Sequence, residues 1–272
     1  MKLWPYFAFL KDLIDILPSR TEKSWTEVEN LLPNRPTVLL VSGFGATQRN
    51  LSVMRRRLKR DGFNVLVIAL DWGSLSDGVR GYYRMAEQLA ASVIALKKRP
   101  DLRNVPVFVV AHSAGGLVAR YYIQVLGGFH YTEGLITLAT PHRGSWVALL
   151  GFVTHLALKA MCLIQMLPVS RFVRRINRSR FPTGFPFLSI SSPQDYLCRP
   201  AMAKLPKSFS KMETVQSVKV PDLSHSAFLH SKRVYALVLA TLRQEVGAEF
   251  GTSPAPQPDP SPLAAASVGE AS

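Results

Sequence analysis

The sequence predicts an α/β protein, with a mostly parallel central sheet, helices on both of its faces and a helical cap inserted late in the chain. Three observations predict it. Short runs rich in Val, Leu and Ile alternate with stretches whose apolar residues recur at helical spacing, the rhythm of parallel strands joined by helical crossovers. One such run, Val107–Val110, passes through Ala111-His112-Ser113-Ala114-Gly115-Gly116 straight into a helix-like stretch, Leu117–Tyr122. The rhythm then stops between Ser145 and Gly184 and resumes afterwards.

In chain order, Met1–Leu17 opens as a secretory signal would, but Lys11-Asp12 and Asp15 break its apolar run and no small-residue cleavage site follows. Leu10, Leu13, Ile14 and Leu17 fall at helical spacing. Residues 1–32 are therefore expected to form an amphipathic helical segment, either packed on the domain or anchored at an interface through Trp4, Tyr6, Phe7 and Phe9. The core begins with a strand over Thr37–Ser42, and the turn Gly43-Phe44-Gly45 follows it. Gln48–Arg60 reads as a basic amphipathic helix, Asn64–Ala69 as a strand and Tyr83–Lys98 as a helix. Further strands are expected over Gly134–Ala139, Pro186–Ser191 and Val215–Val220, and a last helix over Ser231–Gln244. The core thus spans 33–144 and 185–247, and the Pro/Ala/Ser-rich tail over 248–272 has too little apolar surface to order.

Residues 145–184 are the insertion. Trp146–Leu167 is apolar except at His155 and Lys159, and Arg171, Arg174, Arg175, Arg178 and Arg180 follow. A membrane span is the alternative for an apolar run of this length, but it would bury Lys159 and split the sheet. A helical cap fits better, its arginines either available to phosphate groups or simply solvated.

The net charge of +15 suits an anionic membrane surface or solubility. No zinc-finger, RNA-recognition or helix-turn-helix signature accompanies it, which argues against nucleic acid. Cys162 and Cys198 offer no recognised metal-ligand spacing, and two reduced thiols are the default, with pairing left open. Without an export signal the cytoplasm is the expected compartment, at the membrane face if the arginines or the N-terminal segment engage lipid.

The chemistry follows from Ser113. A strand that turns abruptly into a helix with serine at the apex is a nucleophile elbow, and it needs small residues such as Ala111 and Gly115 because the turn is tight. The developing oxyanion needs preorganised N–H donors, one from Ala114 and a second from the loop after the first strand. A histidine base needs a carboxylate on its other nitrogen, in the chain order Ser, Asp, His. Asp195, just past a strand end, and His225, in the last strand-to-helix loop, fill those places. Glu213 precedes its strand and Asp222 lies too close to His225, while His230 is the fallback base. No metal or cofactor is required.

These motifs resemble those of the α/β-hydrolase lipases and esterases over roughly Pro36–Leu242. The AHSAGG form is most similar to the small bacterial triacylglycerol lipases, which also carry Ala at the first small position. The resemblance implies the α/β-hydrolase fold and a second oxyanion donor at Phe44. It also matches Thr140-Pro141-His142-Arg143-Gly144-Ser145 to a family motif near the lid, so His142 is expected to line the substrate site, as are Gly43, His112 and Trp146. A lipid or ester substrate is implied. Phospholipase or acyltransferase activity on the same residues remains open, as does a non-catalytic protein binding lipid or a partner.

Overall fold

The structure is a computed structural model, and it describes residues 31–44, 48–68, 70, 81–146, 161–209 and 211–247. The N-terminal segment up to residue 30, most of the apolar run after Trp146 and the tail from 248 lie outside the described residues.

Six strands form one sheet in the order β2-β1-β3-β4-β5-β6: β1 (Thr37–Val41), β2 (Asn64–Ile68), β3 (Val107–His112), β4 (Gly134–Leu138), β5 (Phe187–Ser191) and β6 (Val215–Lys219). Every pair is parallel. The central strands read as apolar runs because both faces are covered, whereas the edge strand β6, Val-Gln-Ser-Val-Lys, is only partly buried. Along β3, Val107, Val109 and Ala111 enter one core while Phe108 and Val110 enter the other. The first core is closed by α2 (Gly81–Lys98), α3 (Ala114–Val125) and α5 (Arg171–Arg178), and the second by α1 (Gln48–Arg60) and α7 (Lys232–Val246). Among the described residues there are also two short helices, α4 (Met161–Gln165) and α6 (Pro200–Ala203).

The boundaries depart from expectation in one informative place. The elbow was expected to spread over Ala111–Gly116, yet β3 runs through His112 and α3 starts at Ala114. The whole reversal falls on Ser113. Within the insertion, α4 ends at Gln165 and α5 is a separate eight-residue helix. No described helix is long and apolar enough to cross a membrane.

Chain order fixes where a site can form. From β1 the chain steps to β2 on one side and then to β3 on the other. Ligands bind at such a switch point, outside the carboxyl ends of the strands. Ser42–Phe44 leaves the end of β1, and Ser113 leaves the end of β3.

Candidate active site

Ser113 sits at φ 54°, ψ −129°, a region costly for any residue with a Cβ and held here by its surroundings. Its N–H donates to the Leu138 carbonyl at 2.8 Å. Its carbonyl accepts from Gly116 N–H and from the Thr140 hydroxyl, both at 3.0 Å. The flanking glycines are steric necessities: a Cβ on Gly115 would lie 2.4 Å from the Ser42 carbonyl oxygen, and one on Gly116 would lie 2.1 Å from Thr140 Oγ1. Gly43 faces the serine directly, since its Cβ would fall 2.7 Å from Ser113 Cβ. The turn after β1 therefore packs against the elbow at Gly43, and Phe44 follows it in the chain.

A hydrogen-bonded line runs through the serine. His225 Nε2 lies 2.8 Å from Ser113 Oγ, and His225 Nδ1 lies 2.8 Å from Asp195 Oδ2. A carboxylate only accepts, so Nδ1 carries the proton and Nε2 is left to accept from the serine hydroxyl. The other Asp195 oxygen accepts from the N–H groups of Leu197 at 3.0 Å and Cys198 at 2.8 Å. The two loops involved are stitched together: Leu223 N–H donates to Ser192 Oγ and Asp222 N–H to Gln194 Oε1. Asp222 itself adopts φ 61° in the turn that aims His225. Asp195 and His225 are both buried.

His112 was expected to contact substrate and does something else. Its Nε2 donates to the His225 carbonyl at 3.0 Å, and its ring lies 4.9 Å from that of His225. Burial, aided by the neighbouring His225, lowers its pKa to about 3, so it remains a neutral Nε2–H donor. His142 also departs from expectation. Its side chain is wholly buried, with Nδ1 3.4 Å from Arg120 Nη1 and Nε2 within 3.2 Å of the Thr137 and Ser189 hydroxyls. Burial and then the Arg120 charge hold its pKa well below the usual histidine value. It braces β4 and β5 from below and lines no surface. Gly43 packs on the elbow, and Trp146 is half exposed.

Arg120 went unnoticed in the sequence. It is fully buried on α3 with no carboxylate partner among the described residues. Its Nε donates to Gln124 Oε1 and Nη2 to the Ile176 carbonyl, both at 3.0 Å, and the guanidinium lies 5.2 Å from the Phe209 ring. The Ile176 carbonyl belongs to the last turn of α5, where partial negative charge collects. That helix end stands in for an anion, while burial still lowers the Arg120 pKa to about 9. A charged residue within the apolar stretch Leu117–Ile123 was the available signal.

Part of the insertion packs against the core. Leu163, Met166 and Leu167 pack with Phe44, and Gln165 Oε1 accepts from Tyr82 N–H at 2.7 Å, tying α4 to the start of α2. Cys198 is a free, buried thiol whose pKa is pushed up by burial and by Asp195. No cluster of metal-ligating side chains occurs among the described residues.

A family model described as "Serine aminopeptidase, S33", of the α/β-hydrolase class, matches residues 33–180. The chain belongs to this family. The matched span contains Ser113 and ends before Asp195 and His225, so the assignment is independent of the acid and the base. No curated protein sequence matches the chain. Among solved structures, the lipase BlEst2 of Bacillus licheniformis superposes with a TM-score of 0.59 at 14% identity, covering 79% of this chain and 94% of that one. An esterase of Pyrococcus furiosus gives 0.59 at 15%, covering 85% and 100%. The monoacylglycerol lipase of Paleococcus ferrophilus gives 0.56 at 16%, covering 79% and 96%. At these identities the likeness shows the α/β-hydrolase fold that the hydrolase family shares.

Proposed function

We propose that this protein is a serine hydrolase of carboxylic esters of lipid-like alcohols, acting through an acyl-enzyme. The observation that carries the reading is the line Asp195–His225–Ser113, with both contacts at 2.8 Å on a strained elbow. Ser113 Oγ attacks the ester carbonyl carbon as its proton passes to His225 Nε2. The tetrahedral oxyanion is held by the N–H groups of Phe44 and Ala114. Collapse breaks the bond to the alcohol oxygen, which takes the proton back from His225. Water then repeats the sequence and releases the acid. Asp195 holds the Nδ1–H tautomer and balances the imidazolium, and its second oxygen is pinned by two backbone N–H groups.

In this reading residues 33–144 and 185–247 form the catalytic core and 145–184 the cap. The apolar side chains of Leu163, Met166 and Leu167 over Phe44 favour an apolar acyl or alcohol group, and the similar structures named lipase, esterase and monoacylglycerol lipase support the same class. The family description names an aminopeptidase, whose substrate presents a cationic amine. The insertion carries no carboxylate to meet one, since no Asp or Glu occurs between Glu133 and Asp195. An ester therefore fits better.

Hydrolysis of p-nitrophenyl esters from C2 to C16 tests this. Turnover that rises with chain length and disappears in Ser113→Ala is expected. Turnover that survives Ser113→Ala would overturn the proposal.

A further inference from the structure

The strongest charged surface away from the candidate site is on α5. Arg171, Arg174, Arg175 and Arg178 recur at i, i+3, i+4 and i+7 and, with Ser179, line an open groove of about 380 Å³. All four are exposed. The opposite face, Phe172, Val173 and Ile176, is buried in the core, so the arginine face is fixed outward. Among the described residues no ion pair involves any of the four, and Arg175 lies over the Tyr121 ring at 5.5 Å.

Their spacing works against the helix, because like charges three and four residues apart repel. The first turn of α5 has no acidic residue and Arg171 stands at its positive end, whereas Arg175 and Arg178 in the last turn suit the dipole. Local choices that oppose stability are expected where a surface has a task. An apolar flank accompanies the stripe. Val169, just before the capping Ser170, is 55% exposed, Ile164 38% and Trp146 51%. Ser145 N–H donates to the Met166 carbonyl at 2.9 Å, which brings the start of the insertion alongside the stretch leading into α5. Arginines beside exposed Trp and aliphatic side chains are the composition of interfacial surfaces.

The other basic helix, α1, offers a comparison in which two arginines have hydrogen-bonding or ionic partners. It lies on the opposite face of the sheet. Its Arg57 donates to the Ser231 carbonyl at 3.1 Å and lies over the Tyr235 ring, and Arg60 pairs with Asp61 at 3.3 Å.

We infer that the α5 stripe and its apolar flank form a docking face for an anionic phospholipid bilayer, the guanidinium groups engaging headgroup phosphates. This gives the proposed lipid esterase a membrane partner and rests on that reading for its purpose, while the binding itself needs no catalysis. A cation near an anionic leaflet contributes about five-fold in affinity, so replacing all four removes up to about 600-fold at low salt.

The experiment is co-sedimentation of the full chain with phosphatidylcholine vesicles, with or without phosphatidylglycerol, at low and high salt. Wild type is expected to bind only the anionic vesicles, and to be released by salt. The variant Arg171→Ser, Arg174→Ser, Arg175→Ser, Arg178→Ser is expected to lose at least tenfold, and the four-Lys counterpart to retain most of the affinity. Removing Arg49, Arg56, Lys59 and Arg60 from α1 should change binding only a few-fold. Equal losses from α1 and α5, unchanged binding by the four-Ser variant, or preference for soluble polyphosphate over vesicles at equal phosphate would each overturn the inference. Hydrolysis of a short soluble ester is read in parallel, so a failed docking face with intact turnover is distinguished from a failed esterase with intact docking.

Discussion

The floor of the candidate site and the outer face of α5 are built on opposite principles. On the floor, the loops that carry Ser113, Asp195 and His225 are tied together by hydrogen bonds, although the buried Ser42 Oγ and His112 Nδ1 have no partner among the described residues. The elbow is clamped by Leu138, Gly116 and Thr140, the His225 loop by His112, Ser192 and Gln194, and Asp195 by two backbone donors. On its outer face α5 turns four arginines to the surface, and among the described residues none pairs with a carboxylate. The floor gives up conformational freedom to place a few atoms within tenths of an ångström, as chemistry requires. The α5 face keeps exposed charge that meets no carboxylate among the described residues. The difference suggests separate tasks, with reaction at one place and recognition of a surface at another.

Substitutions should therefore divide sharply between the two. Ser113→Ala is expected to reduce ester turnover by about 10⁶-fold with the fold intact, measured as kcat beside the thermal midpoint. Asp195→Asn should cost about 10⁴-fold: its amide oxygen can still accept from Leu197 and Cys198, but its NH₂ group turns His225 to the wrong tautomer. Gly43→Ala forces a Cβ to 2.7 Å from Ser113 Cβ and 3.1 Å from the His112 carbonyl. Moving the turn that carries Phe44 should lower kcat by about 10²-fold, the scale of a lost oxyanion donor. The four-Ser variant of α5, by contrast, should leave short-ester hydrolysis within about two-fold. A large loss there would erase the contrast.

The floor's buried histidines also set a pH dependence. His112 and His142 are neutral when folded, with pKa values lowered by burial, whereas in the unfolded chain each protonates near pH 6.5. The unfolded state thus binds more protons at acid pH. Their contribution is complete above about pH 6.5 and is lost as the pH falls, for His112 down to about 3. The limiting slope is about 1.4 kcal/mol per pH unit for each histidine. Urea titrations between pH 4 and 7 should show this decline, and His112→Asn should make it shallower. An unchanged slope would mean that His112 is protonated in the folded protein.

Much of the floor was legible in the sequence because parallel strands write themselves as apolar runs and the chain order Ser, Asp, His is readable without coordinates. Asp195 and His225 stand where strand ends put them. What the sequence could not convey is which way a ring points at the end of a strand. His142 sits in a motif that suggests the site, yet Arg120, Thr137 and Ser189 hold it beneath the sheet. His112 neighbours the nucleophile, but alternation along β3 turns its ring to the backbone of His225 rather than to a substrate. Arg120 stayed hidden because its compensation comes from a backbone carbonyl of α5, 56 residues away, and no pattern of side chains announces a helix end. The arginine stripe was visible as composition, but its outward direction depends on the burial of Phe172, Val173 and Ile176.

The most direct test of the central claim is labelling by a fluorophosphonate, which reacts with a serine only when a base activates it. Wild-type protein should be modified on the peptide containing Ser113, with labelling abolished in Ser113→Ala and slowed strongly in His225→Gln. A folded wild-type protein that resists the reagent, or that carries the label on another residue, would contradict the account.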